Sequence, residues 1–464
     1  MSLQLVLLLA YLCALTLLGV WVGRRVRTSG EFFVAGRRLG PGLLFSTLVA
    51  ANIGAGSTVG AAGLAYRDGL SAWWWVGSAG IGSLVLAFMV GPRMRRVAAE
   101  GGLHTVGDFL ERRYGRLVRT IVAVLLWAGA VAILAGQLIA LAWVLNVAVG
   151  LPKAAGCLVG GVVVTTYFAA GGLRTSVWVN LVQVVVKLAG FSIALALALG
   201  RAGGWDAVAA ANGSESYWDF WQGGASGWAY LPLLAPAFVV SPGLLQKVYG
   251  ARDDRAVRLG VAANAVVLLV FAFVPASLGM LARVLHPHLA HRELALPTVL
   301  MQDVPPLVGG LGLAAVVSAE ISAADAVLFM LATSLSQDLY RGWLRPRATD
   351  REVLAAARGA AVAGGVLGVS LAIAASSVIG ALSVFYTLLT VSLFVPVVAG
   401  LYWRRTGTPE ALAAVGCGVA GMLASHLATG GAGFGLLQPP FVGLVCAGLG
   451  CAAAVALRGS RPRA

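Results

Sequence analysis

The chain has 464 residues, 59% of them hydrophobic and 11% charged, with a mean hydropathy of +0.89. Soluble domains carry about 25% charge, so eighteen acidic and thirty-three basic residues cannot coat a soluble protein of this length; a cytosolic enzyme is excluded. A disordered chain is excluded too, because disorder needs low hydrophobicity and high charge. The net charge of +15 lies in short gaps between apolar runs, as expected of basic loops in a membrane protein rather than of a nucleic-acid surface. The five cysteines all fall in apolar segments without metal-ligand spacing, and read as small core residues.

Runs long enough to cross a hydrocarbon core of roughly 30 Å, about 20 residues each, predict thirteen helices: 3–22, 41–66, 71–92, 120–149, 154–170, 176–200, 227–246, 258–283, 306–335, 354–375, 378–402, 408–428 and 434–457. The first lacks a basic leading region and a clear cleavage site, and reads as a retained helix. With Met1–Gln4 outside, 27 of the 33 Lys and Arg fall in inner segments and five in outer ones; the remaining one, Lys187, lies within a span. That bias predicts the N-terminus outside and the C-terminus in the cytoplasm. Richness in Ala, Gly and Arg suggests a bacterial gene, hence the bacterial inner (plasma) membrane. The Asn212-Gly-Ser match to a glycosylation acceptor is discounted on that ground.

Two spans are interrupted. The second contains Ala50-Ala51-Asn52-Ile53-Gly54-Ala55-Gly56-Ser57, and the seventh contains Ser241-Pro242-Gly243. Breaks at membrane depth free backbone groups that lipid cannot satisfy, so they persist where protein or a polar cavity takes those groups up. Broken helices in corresponding positions of two halves point to a transporter with inverted repeats and a midplane site. Each break here lies in the first helix of a candidate five-helix unit, 41–200 and 227–402, with 3–22 leading and 408–457 trailing.

Several stretches carry a resemblance to a known family: Glu31-Phe32-Phe33-Val34-Ala35-Gly36-Arg37-Arg38, Ala50 to Gly60, Tyr66-Arg67-Asp68-Gly69, Phe109 to Gly115, Gly171-Gly172-Leu173-Arg174 with Trp178 and Gln183, Ser241-Pro242-Gly243 with Gln246-Lys247, and Ser318 to Tyr340. In their order, the chain resembles the sodium:solute symporters from about residue 3 to about 457. The resemblance implies an all-α, LeuT-type transporter fold that couples uptake of a small organic solute to sodium entry by alternating access, with no enzymatic activity, no cofactor beyond the coupling ion, no nucleic acid and no obligate protein partner.

It also implies a sodium site. Carried over by position, carbonyls of Ala50, Ile53 and Ala319 and the hydroxyl of Ser322 would hold the ion. The second hydroxyl of the family pattern is missing, because that position is Ala323. Asp325 lies three residues from Ser322, on the same helix face. Asn180 stands where the family often has an Asp on the ion exit route, and Asn180, Gln183 and Lys187 form one polar stripe. Lys187 lies about eleven residues from the inner end of its helix, roughly 17 Å at 1.5 Å per residue. An intramembrane Lys is costly unless paired or neutral. Two readings follow: the Lys187 ammonium fills or borders the sodium position and makes transport proton-coupled, as in some transporters of the same general fold; or Lys187 forms a permanent salt bridge to Asp325 and sodium remains the ion.

For the solute, the resemblance places Asn52, Gly56, Ser57, Ser241 and Trp74 or Trp75 at a midplane pocket, with Gln137 an independent polar candidate. Gly56 and Ser57 stand where some sugar transporters of the family have Glu and Gln, which argues against a sugar. The Trp73–Trp75 run has an alternative as an interfacial aromatic belt. His286, His288 and His291 form a weak candidate for a metal in an outer loop. If the orientation holds, single cysteines introduced at Ser216 and Arg347 will label from the outside and the inside respectively; labelling of both from one side refutes the odd number of spans expected between them, and the inverted repeats with it.

Overall fold

The computed structural model describes residues 3–23, 37–435 and 437–459; among others, the side chains of 167 and 169–181 fall outside that description, as does the Glu31–Gly36 part of the family motif. The chain is helical almost throughout, with one two-stranded hairpin, Gln222–Gly223 against Ser226–Gly227, in a connector. Among the described residues, ten helical runs are long and apolar enough to cross a membrane, and Pro41–Asn52 and Lys153–Thr166 are shorter apolar pieces. The expected thirteen spans are therefore not matched one for one. The expected pair 154–170 and 176–200 is assigned as one 49-residue helical element, Lys153–Arg201.

Both expected interruptions are present, for different local reasons. Helix Pro41–Asn52 starts with Pro at its first position, where the missing N–H costs nothing. It ends where Ile53 and Gly54 turn extended; a short 3₁₀ turn, Ala55–Ser57, then leads through Thr58 into helix Val59–Asp68. In the seventh span, helix Leu231–Val240 stops at Ser241, with φ −51° and ψ 121°. Pro242 disfavours helical backbone in the residue before it and itself opens the next helix, Pro242–Tyr249. Helix Pro306–Thr333 crosses between the two breaks and is buried along most of its length.

Connectors at the expected inner end are pinned by polar contacts. Thr105 with Asp108, and Thr349 with Glu352, form reciprocal capping boxes that start Val106–Tyr114 and Asp350–Ala374. Arg119 pairs with Asp108 and Glu111 and donates to Gln337 O.

Glycine sets several helix–helix approaches. A Cβ at Gly279, on helix Phe273–Leu285, would sit 2.1 Å from the carbonyl oxygen of Ala62 on Val59–Asp68. Backbone cannot yield as a side chain can, so Gly279→Val is expected to destabilise by about 1–3 kcal/mol through overpacking. Gly416→Ala, which meets nothing within 4 Å, serves as the neutral control, and thermal unfolding of the two purified variants checks the difference.

Candidate functional site

The first break rearranges a short run of backbone hydrogen bonds, and the site follows from that rearrangement. In a continuous helix the Gly54 N–H would bond Ala50 O, and Ser57 N–H would bond Ile53 O. Instead Gly54 N–H donates to Ser57 Oγ at 3.0 Å, Ser57 N–H to Gly54 O at 3.0 Å, and Ala55 N–H to Gln137 Oε1 at 2.8 Å. The carbonyls of Ala50 and Ile53 are left facing inward with no helical partner.

Lys187 supplies it. Its Nζ, fully buried, donates to Ala50 O at 3.1 Å, to Ile53 O at 3.1 Å and to Ser322 Oγ at 2.5 Å. An ammonium has three donors and no acceptor, and three oxygens meet it. Ser322 Oγ also lies 2.7 Å from Ala50 O and 3.1 Å from Ala319 O. Three of the four atoms from which the resemblance would build a sodium cage thus meet a protein nitrogen. Ala323 adds no oxygen: its Cβ abuts the break, where a Cβ on Gly54 would come within 2.4 Å of it and 2.8 Å of Gln137 Oε1.

The three ammonium donors of Lys187 go to Ala50, Ile53 and Ser322, so the described contacts of Lys187 do not include the salt bridge to Asp325 that the sequence allows. Asn180 lies on the same helical element as Lys187, but its side chain is outside the described residues. Gln183 is buried with neither amide atom hydrogen-bonded.

Beside the cage lies a cavity, part of it open to solvent, reaching from the first break to the second. Asn52, Gly56, Ser57, Gln137 and Ser241 all line it, as does Ala323. Asn52 Nδ2 donates to Asn264 Oδ1 at 3.1 Å. Ser57 Oγ is occupied by backbone contacts within the break. Gly56 is required by close approach: a Cβ there would lie 2.6 Å from Leu382 Cδ2 and 2.9 Å from Trp75 Nε1.

The tryptophans divide. Trp75 is on the wall, edge-on to Tyr230 and Tyr386. Trp74 is not on it; its indole donates to Phe220 O and packs against Trp73, Phe220 and Trp221. All three are buried within the protein, so the belt alternative does not hold. Phe238, Phe385, Tyr386 and Lys247 also line the cavity and were not singled out from sequence. Lys247 carried a signal, since it lies five residues after Pro242 and within the family-like stretch Gln246-Lys247.

The histidine candidate does not assemble: His286 pairs with Asp303 at 2.7 Å, while His291 stacks on Trp143, where burial lowers its imidazole pKa. Among the described residues, no group of three or more His, Cys, Asp or Glu could hold a metal.

Comparison with known proteins decides the family. The sequence pattern of the sodium:solute symporter family matches residues 32–418. The chain belongs to the sodium:solute symporter family. The sodium/pantothenate symporter of Escherichia coli (strain K12) is 29% identical to it over 452 residues, covering 92% of this chain and 91% of that protein. The sodium/glucose cotransporter of Vibrio parahaemolyticus is 24% identical, covering 87% and 81%. Among solved structures, a Na⁺-coupled sialic acid symporter in a substrate-bound outward-open state superimposes with a TM-score of 0.82 at 16% identity, covering 98% of both chains. Mhp1, a nucleobase-cation-symport-1 family transporter, does so at 0.62 and 15% identity, covering 92% of this chain and 94% of that one. The fold of this symporter is thus of the LeuT type, and its activity is cation-coupled symport of a small solute.

Asn52 joins the cavity wall to Asn264 at the unwound segment, so Asn52→Ala is expected to weaken solute binding more than folding; unchanged transport kinetics in a well-expressed variant would remove Asn52 from the solute site. Gly54→Leu is expected to abolish transport, by driving a side chain into Ala323 and Gln137.

Proposed function

We propose that this symporter carries its coupling cation as part of its own chain: the Lys187 ammonium stands where relatives bind sodium, and solute uptake is driven by protons. The observation that carries this reading is the three-oxygen cage of Ala50, Ile53 and Ser322 closed on Lys187 Nζ. Two cations in one cage repel, and Ala323 leaves the family's second hydroxyl unfilled, so a sodium ion bound at that position would have to displace the lysine. Sodium coupling is the second reading, favoured by the family and by the relatives' names.

The solute is a small organic molecule held in the cavity between the two breaks. Aromatic and aliphatic walls suit an apolar body, and Asn52, Gln137 and Ser241 suit a polar end. The stretches 41–200 and 227–402 act as inverted repeats, each opening with its broken helix, in the bacterial inner membrane with the N-terminus outside and the C-terminus in the cytoplasm. Neither catalysis nor an obligate protein partner enters this reading.

The test is uptake of a radiolabelled solute panel into sodium-free proteoliposomes under an imposed proton gradient. Accumulation there is expected for the wild type, while Lys187→Ala loses gradient-driven accumulation and retains solute exchange. No uptake without sodium, with uptake restored by sodium alone, overturns the lysine reading.

A further inference from the structure

We propose that the solute carries a carboxylate, and that Lys247 receives it at the head of the second broken helix. This rests on the reading of the cavity as the solute site, and it is independent of which cation drives transport.

Lys247 is 4% exposed and lies on helix Pro242–Tyr249. Gly243 and Lys247 are one turn apart on the same helix face, and both line the cavity. An ammonium has three donors. One of them goes to Gly243 O at 3.3 Å, and among the described residues that long contact is the one hydrogen bond Lys247 Nζ makes. No carboxylate forms an ion pair with it among those residues, Asp325 of the adjoining helix Pro306–Thr333 included. A charged side chain at membrane depth needs a counter-charge or several oxygens. Lys187 has its oxygens; Lys247 has donors to spare and a cavity in front of them.

The backbone beside Lys247 favours the same sign of ligand. Gly243 is the second residue of its helix, where an N–H has no acceptor within the helix. The N–H groups of Leu244 and Leu245 already donate to Ser241 O. A Cβ at Gly243 would meet nothing within 4 Å, so open space lies beside it. The positive end of the helix and a Lys one turn along it add in sign.

The rest of the wall decides what kind of anion fits. Among the described residues, Lys247 is the one charged residue of the wall, and no Asp or Glu lines it. A solute with an ammonium group of its own finds no counter-charge there. Trp75, Phe238, Phe385 and Tyr386 suit an apolar body. An inorganic anion satisfies Lys247 and leaves those rings bare, whereas an apolar monocarboxylate satisfies both.

The test uses the purified full chain and matched probes with an aromatic and an aliphatic body: phenylacetate and 4-methylpentanoate, each against its primary amide and the corresponding amine, with chloride as the inorganic control. Binding is read by thermal shift, and uptake in proteoliposomes with sodium and proton gradients imposed together, so that the coupling ion does not decide the outcome. In the wild type a carboxylate is expected to bind about tenfold more tightly than its amide or amine, as befits one hydrogen-bonded charge pair. Lys247→Gln is expected to lose that preference with amide binding little changed, and Lys247→Arg to keep it. Wild-type preference for amide or amine, binding of no carboxylate, binding of chloride alone, or a carboxylate preference that survives in Lys247→Gln each overturns the proposal. The wild-type preference needs no variant, so a Lys247→Gln chain that fails to fold still leaves the proposal refutable. Asn52→Ala separates the two readings: if it weakens all probes alike while Lys247→Gln changes nothing, the carboxylate proposal falls and the cavity remains the solute site; if neither change weakens a probe that binds, the cavity reading falls as well.

Discussion

Two backbone carbonyls with no helical partner in the middle of an apolar bundle are the constraint around which this structure is arranged. Lipid offers no donors at that depth, and an unsatisfied carbonyl costs several kcal/mol in hydrocarbon. Ala50 O and Ile53 O lose their partners because Gly54 N–H and Ser57 N–H turn to other acceptors. Something with several donors must come to them, and in this chain it is a lysine from another helix. The lysine has the complementary need, since a charged side chain in a membrane must be surrounded by oxygens or lose its proton. Each makes the other tenable.

The same interruption forms one wall of the cavity. Asn52, Gly54 and Gly56 face the cavity, while Ala50 and Ile53 face the cage. A few residues of one unwound segment thus border both cage and cavity. Gln137 braces the segment by accepting from Ala55 N–H, and it also faces the cavity. Coupling between two sites requires an element that both can bias; here that element is short, lacks the stiffness of a helix, and is held by side chains rather than by its own ladder.

Much of this was legible in the sequence because it violated local rules. A Lys within an apolar span, a Gly-rich interruption and a mid-span Pro are each anomalies, and each falls at the centre. What stayed hidden was azimuth. Counting depth placed Asp325 level with Lys187, but depth says nothing of the direction around a helix, and the groups that meet the ammonium are Ala50, Ile53 and Ser322. Trp74 and Trp75 are adjacent in sequence, yet a helix sends them about 100° apart, one to Phe220 and one to the cavity. Lys247 was hidden by its neighbourhood: the Arg residues that follow it made it read as one more inner-loop cation. The span count suffered from a different gap, since composition marks where apolar residues lie and not where a helical element starts and stops, as Lys153–Arg201 illustrates.

A tethered cation differs from a free one in what can leave. Sodium departs whole, whereas an ammonium on a side chain can depart only as its proton, so on the proposed reading the cage holds the charged and the neutral nitrogen in turn. The geometry at Ser322 allows this. Toward –NH₃⁺, Ser322 Oγ is an acceptor and passes its own proton to Ala50 O or Ala319 O. Toward –NH₂, which has two N–H bonds and a lone pair, the same hydroxyl turns and donates to nitrogen, while Ala50 O and Ile53 O keep the remaining hydrogens. No heavy atom has to move for that exchange. Cage and hydroxyl come from separate elements, however: the carbonyls from Pro41–Asn52 and its broken end, the hydroxyl from Pro306–Thr333. On the proposed reading, parting the two elements takes oxygens away from the nitrogen and disfavours the ammonium, while closing them favours it. That differential preference is what a bound cation must have if it is to drive an equilibrium between two conformations.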